Sequence, residues 1–417
     1  MGKHNEIINI GIGFVTGRKS FRNIVRTYVE NWNESGLINN KNLTLNLLVA
    51  YDLKYTNTKL SDYKNVDEEI FNMIDSAFYI GTSTIRNEIR NLIEQGVINS
   101  KEDDLLFGEG YAKKRNAVLY FALKSNMDYL FFIDDDEYPM VALKQSQGLV
   151  WKGQKVLATH LKSIKNADIT HGHHCGYISP IPCIKFNNSL TEGDFKVFIK
   201  TISNDIVSWN SIKEKMKEGG VTYGDAKILE YPHTETVEEI NGAKFISGSN
   251  ICINLNSSKT VFPFFNPPGA RGEDTFLSTC LSAHNVLKVP CYAFHDGFST
   301  YEHLLRGVLP EYLKEISGST EKIINRFLKA CIGWIRYKPL LLYITNRDSY
   351  ENEISNMKAN LDLVLPKICK HFNHKDFMKI RNELTSYDHN VKEHFEMFEA
   401  TKLAWNNVFK YLKAGSQ

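Results

Sequence analysis

The sequence predicts an α/β fold: a mostly parallel sheet flanked by helices, followed by an all-helical C-terminal appendage. Two observations predict the sheet. The apolar run IINIGIGFV at 7–15 is followed by apolar residues at helical spacing, and the helical segment AKKRNAVLYFALKSN leads directly into the apolar run YLFFI. Strands that alternate with helices indicate a parallel sheet, in which ligands bind beyond the carboxyl ends of the strands. The third observation is that the pattern is helical only from about residue 315 onward.

The remaining elements follow the same alternation. Strands are predicted at LTLNLLVAYD, NADITHG, KFISGSNICINL and VLKVPCYAFH, with a helix at EDTFLSTCLSAHN before the last of them. Near the C-terminus, VKEHFEMFEATKLAWNNVFKYLKAG has its apolar residues on one helical face and a glycine stop signal. We therefore predict a sheet-containing domain over residues 1–315 and a helical domain over residues 316–417.

Bulk composition excludes several classes of protein. The 417 residues include 50 basic and 48 acidic side chains, and a net charge of +2 creates no field that would attract nucleic acid. The seven cysteines are odd in number and form no CxxC pair, which favours a reducing compartment. Because the first residues, MGKHNEIINIGIG, lack an apolar h-region and no run of about 18 apolar residues occurs, we expect neither a secretory leader nor a membrane span. We expect a cytoplasmic protein that does not bind nucleic acid.

Four consecutive carboxylates, Asp134, Asp135, Asp136 and Glu137, directly follow the apolar run YLFFI. Such a concentration of negative charge needs a compensating partner, and hard oxygen ligands suit Mg²⁺ or Mn²⁺ better than zinc. Mg²⁺ usually takes one or two protein carboxylates and fills its other positions with water and substrate phosphate. The cluster therefore predicts a divalent-metal site with a phosphate-bearing ligand. The alternative is a solvated acidic strand end without a metal.

The stretch GEGYAKKRNAVLYFALKSNMDYLFFIDDDEYP resembles the central signature of GT-A-fold glycosyltransferases, in particular the inverting family 2. The resemblance implies that Asp134 and Asp136 frame a DxD motif, with Asp136 the direct metal ligand and Asp134 nearer the donor ribose. GARGEDTFL is similar to the acceptor-side ED motif of the family, which implies that Asp274 is the general base and Glu273 its neighbour. His295, at the end of a predicted strand, matches the third metal ligand.

The same resemblance implies two binding regions. The residues implied in nucleotide-sugar binding are Phe14, Val15, Thr16, Arg18, Asp52, Arg115, Asn116, Asp134 and Asp135. Those implied in acceptor binding are Gly248, Ser249 and Asn250, in FISGSNICI. The chain departs from the family at AYDLKY, where paired aspartates followed by Gly-Ser are usual, and residues 176–244 have no counterpart.

The function implied by the resemblance is that of a metal-dependent glycosyltransferase with its catalytic domain in residues 1–315. It would transfer a sugar from a nucleoside-diphosphate donor, with a UDP-sugar favoured, to a glycan, lipid-linked or protein acceptor during glycan or cell-surface polysaccharide synthesis. A Mn²⁺ or Mg²⁺ cofactor stabilises the departing diphosphate, and a carboxylate accepts the acceptor proton. This chemistry needs two separate acidic motifs, and the sequence has two. The absence of a QxxRW motif predicts a non-processive enzyme, and the resemblance to the inverting family 2 implies inversion.

Two other functions stay open. A sugar nucleotidyltransferase would share the sheet and the metal carboxylates, but it should have a Gly-rich loop with a Pro-Lys signature, which is absent. A catalytically silent glycan-binding protein of the same fold would not need both acidic motifs. GIGFVTGRKS misses the Walker A spacing by one residue, which argues against an NTPase, and HGHHCG is predicted to form hydrogen bonds at a strand end rather than a metal site.

Residues 322–347 contain six basic and no acidic side chains, with aromatic residues among aliphatic ones. Basic and aromatic residues mixed on a helix are typical of segments that lie at a membrane surface. The pattern predicts either peripheral contact with the inner membrane face, or packing against the catalytic domain or a second copy in a homo-oligomer. Pro339 interrupts the segment and favours packing.

Overall fold

The computed structural model describes residues 7–203 and 209–415, and it confirms the predicted α/β fold class. The strands in these ranges are β1 (Ile8–Thr16), β2 (Leu43–Tyr51), β3 (Ser76–Ile80), β4 (Tyr129–Ile133), β5 (Glu137–Tyr138), β6 (Met140–Gln145), β7 (Gly148–Gly153), β8 (Ile169–Gly176), β9 (Glu235–Thr236), β10 (Ile251–Asn254) and β11 (Val286–His295). The helices are α1 (Phe21–Glu34), α2 (Ser61–Lys64), α3 (Glu68–Phe71), α4 (Thr82–Glu94), α5 (Asp103–Leu106), α6 (Tyr111–Lys124), α7 (Val156–Ile164), α8 (Glu192–Ile202), α9 (Trp209–Lys217), α10 (Ala226–Glu230), α11 (Glu273–Ser278), α12 (Glu321–Thr345), α13 (Tyr350–Phe372), α14 (Lys379–His389) and α15 (Val391–Gly415).

A nine-stranded sheet has the order β3-β2-β1-β4-β10-β8-β11-β5, with β9 also paired to β11. Strand β1 is parallel to β2 and β4, β3 is parallel to β2, and β11 is parallel to β8. Strand β10 runs antiparallel between β4 and β8, so β1, β2, β3, β4, β8 and β11 all point in one direction. The prediction of a mostly parallel sheet is therefore confirmed, and the carboxyl ends of these strands share one edge.

The alternation of isoleucine and glycine in β1 explains how helices cover both faces of the sheet. Ile10, Ile12 and Phe14 are buried in the same cluster as the apolar residues of α1. On the other face, a Cβ atom at Gly13 would lie 2.8 Å from a side-chain carbon of Val118 in α6. Glycine therefore allows α6 to lie close to β1, beside the strand that carries the acidic cluster.

One predicted strand is shorter in the structure. The segment KFISGSNICINL is a strand only over β10, because Asn250 immediately before it has a φ of 51°. Asparagine tolerates this left-handed conformation better than most residues do. Because the backbone of Asn250 is not extended, the strand begins only at the next residue. The preceding loop brings Gly248 against α11, where a Cβ atom at Gly248 would lie 3.2 Å from Asp274 Oδ2.

The C-terminal helices pack on two parts of the molecule. Phe327 of α12 lies in one buried cluster with Phe195 and Phe198 of α8, so the segment without a family counterpart joins the helical region. Trp405 of α15 lies instead in a cluster beneath the sheet, where its indole N–H donates to the Val261 carbonyl oxygen at 2.8 Å. Both sets of contacts cross residue 315, and a domain division at that point stays a prediction.

Candidate functional site

A cavity of about 900 Å³ lies beyond the carboxyl ends of β1, β2, β4 and β11, where ligands bind in parallel sheets. We call one part of its lining the strand wall, formed by Val15, Thr16, Arg18, Asp52, Asp134, Asp135 and Asp136. We call a second part the α12 wall, formed by Lys322, Arg326 and Lys329 of α12 together with Arg271. Glu273 and His295 complete the set of predicted residues that line the cavity.

Arg18, from the loop after β1, is the partner of Asp135 and one of the partners of Asp136. Its Nη1 donates to Asp135 Oδ1 at 3.0 Å and to Asp136 Oδ2 at 2.6 Å. The Thr16 hydroxyl donates to Asp135 Oδ2 at 2.6 Å. Because β1 and β4 are adjacent and parallel, the residues that follow each strand meet at the same edge of the sheet.

Asp134 is bound by two residues of α6. It accepts a hydrogen bond from the Tyr111 hydroxyl, and Arg115 Nη2 donates to its Oδ1 at 3.2 Å. The Arg115 side chain is only 1% exposed, and its Nε lies 3.8 Å from Glu273 Oε1. Its guanidinium carbon is 4.9 Å from the centroid of the Phe132 ring. Since a cation buried this deeply needs paired carboxylates, Arg115 links the two acidic motifs from behind the strand wall.

Burial and charge pairing give the acidic residues unequal pKa values. Burial raises the pKa of Asp135 to about 7, although Arg18 opposes the shift. Burial also disfavours the charge on Asp136, but His295 and Arg18 outweigh it and hold the Asp136 pKa below its usual range. For His295, the effect of burial is outweighed by the charge of Asp136, which raises the His295 pKa to about 9. Asp136 and His295 are therefore both charged at neutral pH, with Oδ1 and Nε2 separated by 3.5 Å.

The two acidic residues at the start of α11 differ in position. Glu273 lines the cavity, and burial, together with the charge of Asp274, raises its pKa to about 7. Asp274 lies against Gly248, and its Oδ1 accepts a hydrogen bond from the Thr275 N–H at 2.8 Å. Burial raises the pKa of Asp274 as well. Within the described part of the chain the cavity lining includes Glu273 and not Asp274, so the role of Asp274 as base stays a prediction.

Several predicted binding residues lie inside the protein. Phe14 is buried in the core, and Asn116 clamps the backbone of Phe264 through hydrogen bonds of 2.9 Å from its Nδ2 and 2.7 Å to its Oδ1. Ser249 and Asn250 are also buried. In this structure these four residues hold the surrounding backbone and side chains in place. Their direct contact with a ligand, like that of Gly248, stays a prediction.

Ser249 belongs to a buried polar network behind the acidic strand end. Its hydroxyl donates to Glu137, whose Oε1 lies 2.9 Å from His174 Nε2. Burial disfavours the charge on Glu137, but His174 outweighs this effect and lowers the Glu137 pKa. The fourth carboxylate of the acidic run therefore lies between Ser249 and His174 of HGHHCG. The hydrogen-bonding role predicted for this motif is not met by His171, whose ring nitrogens have no hydrogen-bond partner among the described residues.

Sequence reasoning missed two other groups that line the cavity. Tyr55, Tyr111 and Lys114 lie near the strand wall, and Lys114 Nζ is 3.3 Å from Asp52 Oδ2. The helical spacing of Tyr111 and Lys114 relative to Arg115 was the available signal. This spacing places Tyr111, Lys114 and Arg115 on adjacent turns of α6, beside β4, the strand that Asp134 follows.

The α12 wall is the second missed group. Lys322, Arg326 and Lys329 are spaced to lie on one face of α12, and this face lines the cavity. The aromatic residues Phe327 and Tyr337 of the same helix are buried inside the protein. Peripheral membrane contact through α12 stays a prediction that these contacts do not support. In the described ranges, no helix combines the length and apolar character needed to span a bilayer.

The donor atoms of Asp136 and His295 fit a divalent metal ion. His295 Nδ1 donates to the Tyr177 carbonyl oxygen at 2.7 Å, so Nε2 faces Asp136 and would bind a metal ion only with loss of its proton. One carboxylate and one imidazole leave the other positions for water and phosphate oxygens. Asp134, the third predicted ligand, instead bonds to Tyr111 and Arg115. No group of three or more histidine, cysteine or acidic side chains in the described ranges is arranged to hold a metal ion.

No protein-family model matches the chain, and no curated protein has a significantly similar sequence. Among solved structures, the apo form of mouse xyloside xylosyltransferase 1 is similar to this chain, with 9% identity and a TM-score of 0.20. The similarity covers 42% of this chain and 55% of that chain, little more than half of the neighbour's length. A likeness at this level carries no argument about activity.

Proposed function

We propose that this protein is a glycosyltransferase that moves a sugar from a nucleoside-diphosphate donor to an acceptor hydroxyl, with inversion and without processivity. The observation that carries the proposal is the convergence of Asp136, His295 and Glu273 on one cavity beyond the carboxyl ends of parallel strands. Sugar transfer needs positive charge where the diphosphate departs and a base where the acceptor hydroxyl attacks. In this cavity, Asp136 and His295 are the candidates for holding a metal ion at the diphosphate, and Glu273 is the candidate for the base.

The nucleoside of the donor is assigned to the part of the strand wall where β1 and β2 end. Tyr55 and Tyr111 present aromatic rings there, and Asp52 presents a carboxylate that can accept hydrogen bonds from ribose hydroxyls. Asp134, bonded to Tyr111, lies beside them. A UDP-sugar is the first donor to test, because the resemblance to family 2 favours it.

The diphosphate of the donor is assigned to Asp136, His295 and Arg18. Asp136 and His295 would hold Mn²⁺ or Mg²⁺, which supplies Lewis-acid stabilisation of the negative charge on the departing diphosphate. Arg18 adds a permanent cation at the same position. Its pKa is raised by Asp136 and Asp135 against the effect of burial.

The base is assigned to the Glu273–Asp274 pair. Glu273 is the member that lines the cavity, and its pKa of about 7 suits a group that takes up a proton near neutral pH. Asp274 raises that pKa through its own charge. We therefore assign proton uptake to Glu273, whereas the resemblance assigns it to Asp274.

The donor site is tested by calorimetric titration of UDP, GDP and CDP into the wild type and Asp136→Ala, each with Mn²⁺ and with EDTA. We expect Asp136→Ala to weaken metal-assisted binding by about tenfold or more, since one charged ligand is lost. Asp104→Ala is the matched control, because Asp104 is 90% exposed and paired only with Lys113 in the described structure. Equal affinities in all samples would contradict the assignment.

The reaction class is tested by incubating the wild type with nucleotide sugars and following slow, metal-dependent hydrolysis. Release of nucleoside diphosphate supports a glycosyltransferase, because the bond broken is then the one between the sugar and the diphosphate. Pyrophosphate formation from a sugar phosphate and a nucleoside triphosphate would identify a nucleotidyltransferase instead.

A further inference from the structure

The α12 wall contains four cations that have no acidic partner in the described part of the chain. Lys322, Arg326, Lys329 and Arg271 all line the cavity, and none is within ion-pair distance of a carboxylate there. The cations at and near the strand wall are different: Arg18 is paired with two aspartates, and the neighbouring Lys114 is paired with Asp52. Positive charge in excess of the local carboxylates is therefore concentrated on one side of the cavity.

The packing around α12 keeps these cations together. Arg326 stacks on Phe298, with its guanidinium carbon 4.3 Å from the ring centroid. The Arg271 side chain lies along α12, since a Cβ atom at Gly333 would be 3.3 Å from its Cδ. Burial, and then the nearby charges of Arg18 and Arg271, lower the pKa of Arg326 despite the opposing charge of Asp136. The guanidinium groups are therefore within electrostatic reach of one another.

Keeping like charges on one helical face is unfavourable without a ligand. Lys322 and Arg326 are four residues apart, and Arg326 and Lys329 are three apart, so both pairs face each other on the helix surface. Like-charge pairs at these spacings destabilise a helix by about 0.2–0.5 kcal/mol each. A bound anion that contacts all of them would reverse this effect.

We propose that the α12 wall binds a phosphate group of the acceptor, next to the site of the donor diphosphate. This inference rests on the proposed function, because it names the acceptor class of the same site. The donor diphosphate is already assigned to Arg18, Asp136 and His295, and the four cations of the α12 wall exceed what it needs. Arginine binds phosphate through paired N–H donors and lysine binds it as a point charge, so the mixture suits a phosphate.

The size of the cavity agrees with two ligands. Ligand pockets usually have volumes of about 300–1,000 Å³, and this cavity, at about 900 Å³, is near the upper end of that range. Phosphate could belong to a lipid-linked diphosphate or to a phosphorylated glycan. Both sources offer the same chemistry to Lys322, Arg326 and Lys329.

The test is a calorimetric titration of inorganic pyrophosphate into the full chain saturated with the nucleoside diphosphate that binds best. The variant is Lys322→Ala with Lys329→Ala, and the matched control is Lys392→Ala with Lys410→Ala, two exposed lysines on α15. We expect pyrophosphate to bind the nucleotide complex, and the α12 variant to weaken this binding by about tenfold or more. Nucleotide affinity should stay within about twofold, and the control should resemble the wild type.

Three outcomes would overturn the proposal: no pyrophosphate binding to the wild type, complete displacement of pyrophosphate by the nucleotide, or an equal loss of nucleotide affinity in the α12 variant. If no nucleoside diphosphate binds the wild type, the proposed donor site fails separately, and pyrophosphate alone then decides whether the α12 wall binds phosphate. Farnesyl diphosphate and glucose 1-phosphate distinguish the sources. Preference for either one supports the phosphate subsite and identifies a lipid-linked or a soluble acceptor.

Discussion

The strand wall and the α12 wall of the cavity use positive charge in different ways. At the strand wall, Arg18 is shared between Asp135 and Asp136, and Arg115 is buried behind it between Asp134 and Glu273. At the α12 wall, Lys322, Arg326, Lys329 and Arg271 are accessible and have no carboxylate within ion-pair distance in the described ranges. The first set of charges is neutralised within the protein, and the second is not.

This difference separates stability from binding. Removing one member of a buried ion pair leaves an uncompensated charge, which is strongly destabilising. Removing an accessible, unpaired cation leaves no buried charge and relieves repulsion from its neighbours. Variants of the strand wall are therefore expected to change both folding and donor binding, and variants of the α12 wall to change ligand binding with little effect on folding.

The largest expected effect is at Arg115. Arg115→Met keeps most of the side-chain volume but leaves Asp134 and Glu273 without their cation, so we expect a loss of about 3–5 kcal/mol in the free energy of unfolding. Urea denaturation measures the loss. Lys113→Met, on the same helix and paired only with the exposed Asp104, is the control and should cost less than about 1 kcal/mol. Equal losses in both variants would show that the Arg115 pairs do not stabilise the fold.

The next effect concerns catalysis at Glu273, which lines the cavity and has its Oε1 3.8 Å from Arg115 Nε. We expect Glu273→Gln to lower turnover by about a hundredfold, the usual size of a general-base contribution, with donor affinity unchanged. Asp274→Asn should cause a smaller loss, because Asp274 acts through the Glu273 pKa. A larger loss in Asp274→Asn than in Glu273→Gln would return the role of base to Asp274.

The pH dependence of transfer sharpens this assignment. Burial raises the Glu273 pKa to about 7, so the group is protonated below that pH and ionised above it. Since a base must be ionised, kcat/KM for the wild type should fall as the pH drops below about 7. Glu273→Gln should remove this inflection. A wild-type profile that stays flat down to pH 5 would contradict the assignment.

The smallest expected effect is on stability at the α12 wall. Lys322→Ala with Lys329→Ala removes two like-charge pairs with Arg326, so we expect a gain of about 0.2–0.5 kcal/mol for each pair at low salt. The gain should disappear near 1 M salt, where the Debye length is about 3 Å. The α15 double variant, Lys392→Ala with Lys410→Ala, should show no comparable salt-dependent gain. Destabilisation of the α12 variant would indicate that these lysines have acidic partners in solution.

The succession of strands and helices along the chain could be predicted from the sequence, because each of these elements has a local signal. Alternating apolar runs and helical periodicity identified β1, β2, β4 and β11, and the parallel direction of the strands placed a ligand site at their carboxyl ends. The acidic run after β4 could also be recognised, because its four carboxylates are consecutive in the sequence. The prediction was less accurate at KFISGSNICINL. The residues before Asn250 are compatible with a strand, but the left-handed backbone of Asn250 delays the start of the strand to Ile251.

Local sequence patterns specify which segments form strands and helices, and they show that acidic residues follow a buried strand. Which cation pairs with which carboxylate depends instead on contacts between distant segments. Arg18 lies 117 residues from Asp135 in the chain, and they meet because β1 and β4 are neighbours in the sheet. The basic face of α12 has the same local pattern whether it covers a membrane, a second copy or a cavity. Its position follows from buried contacts with α8 and other distant segments, and local spacing does not specify such contacts.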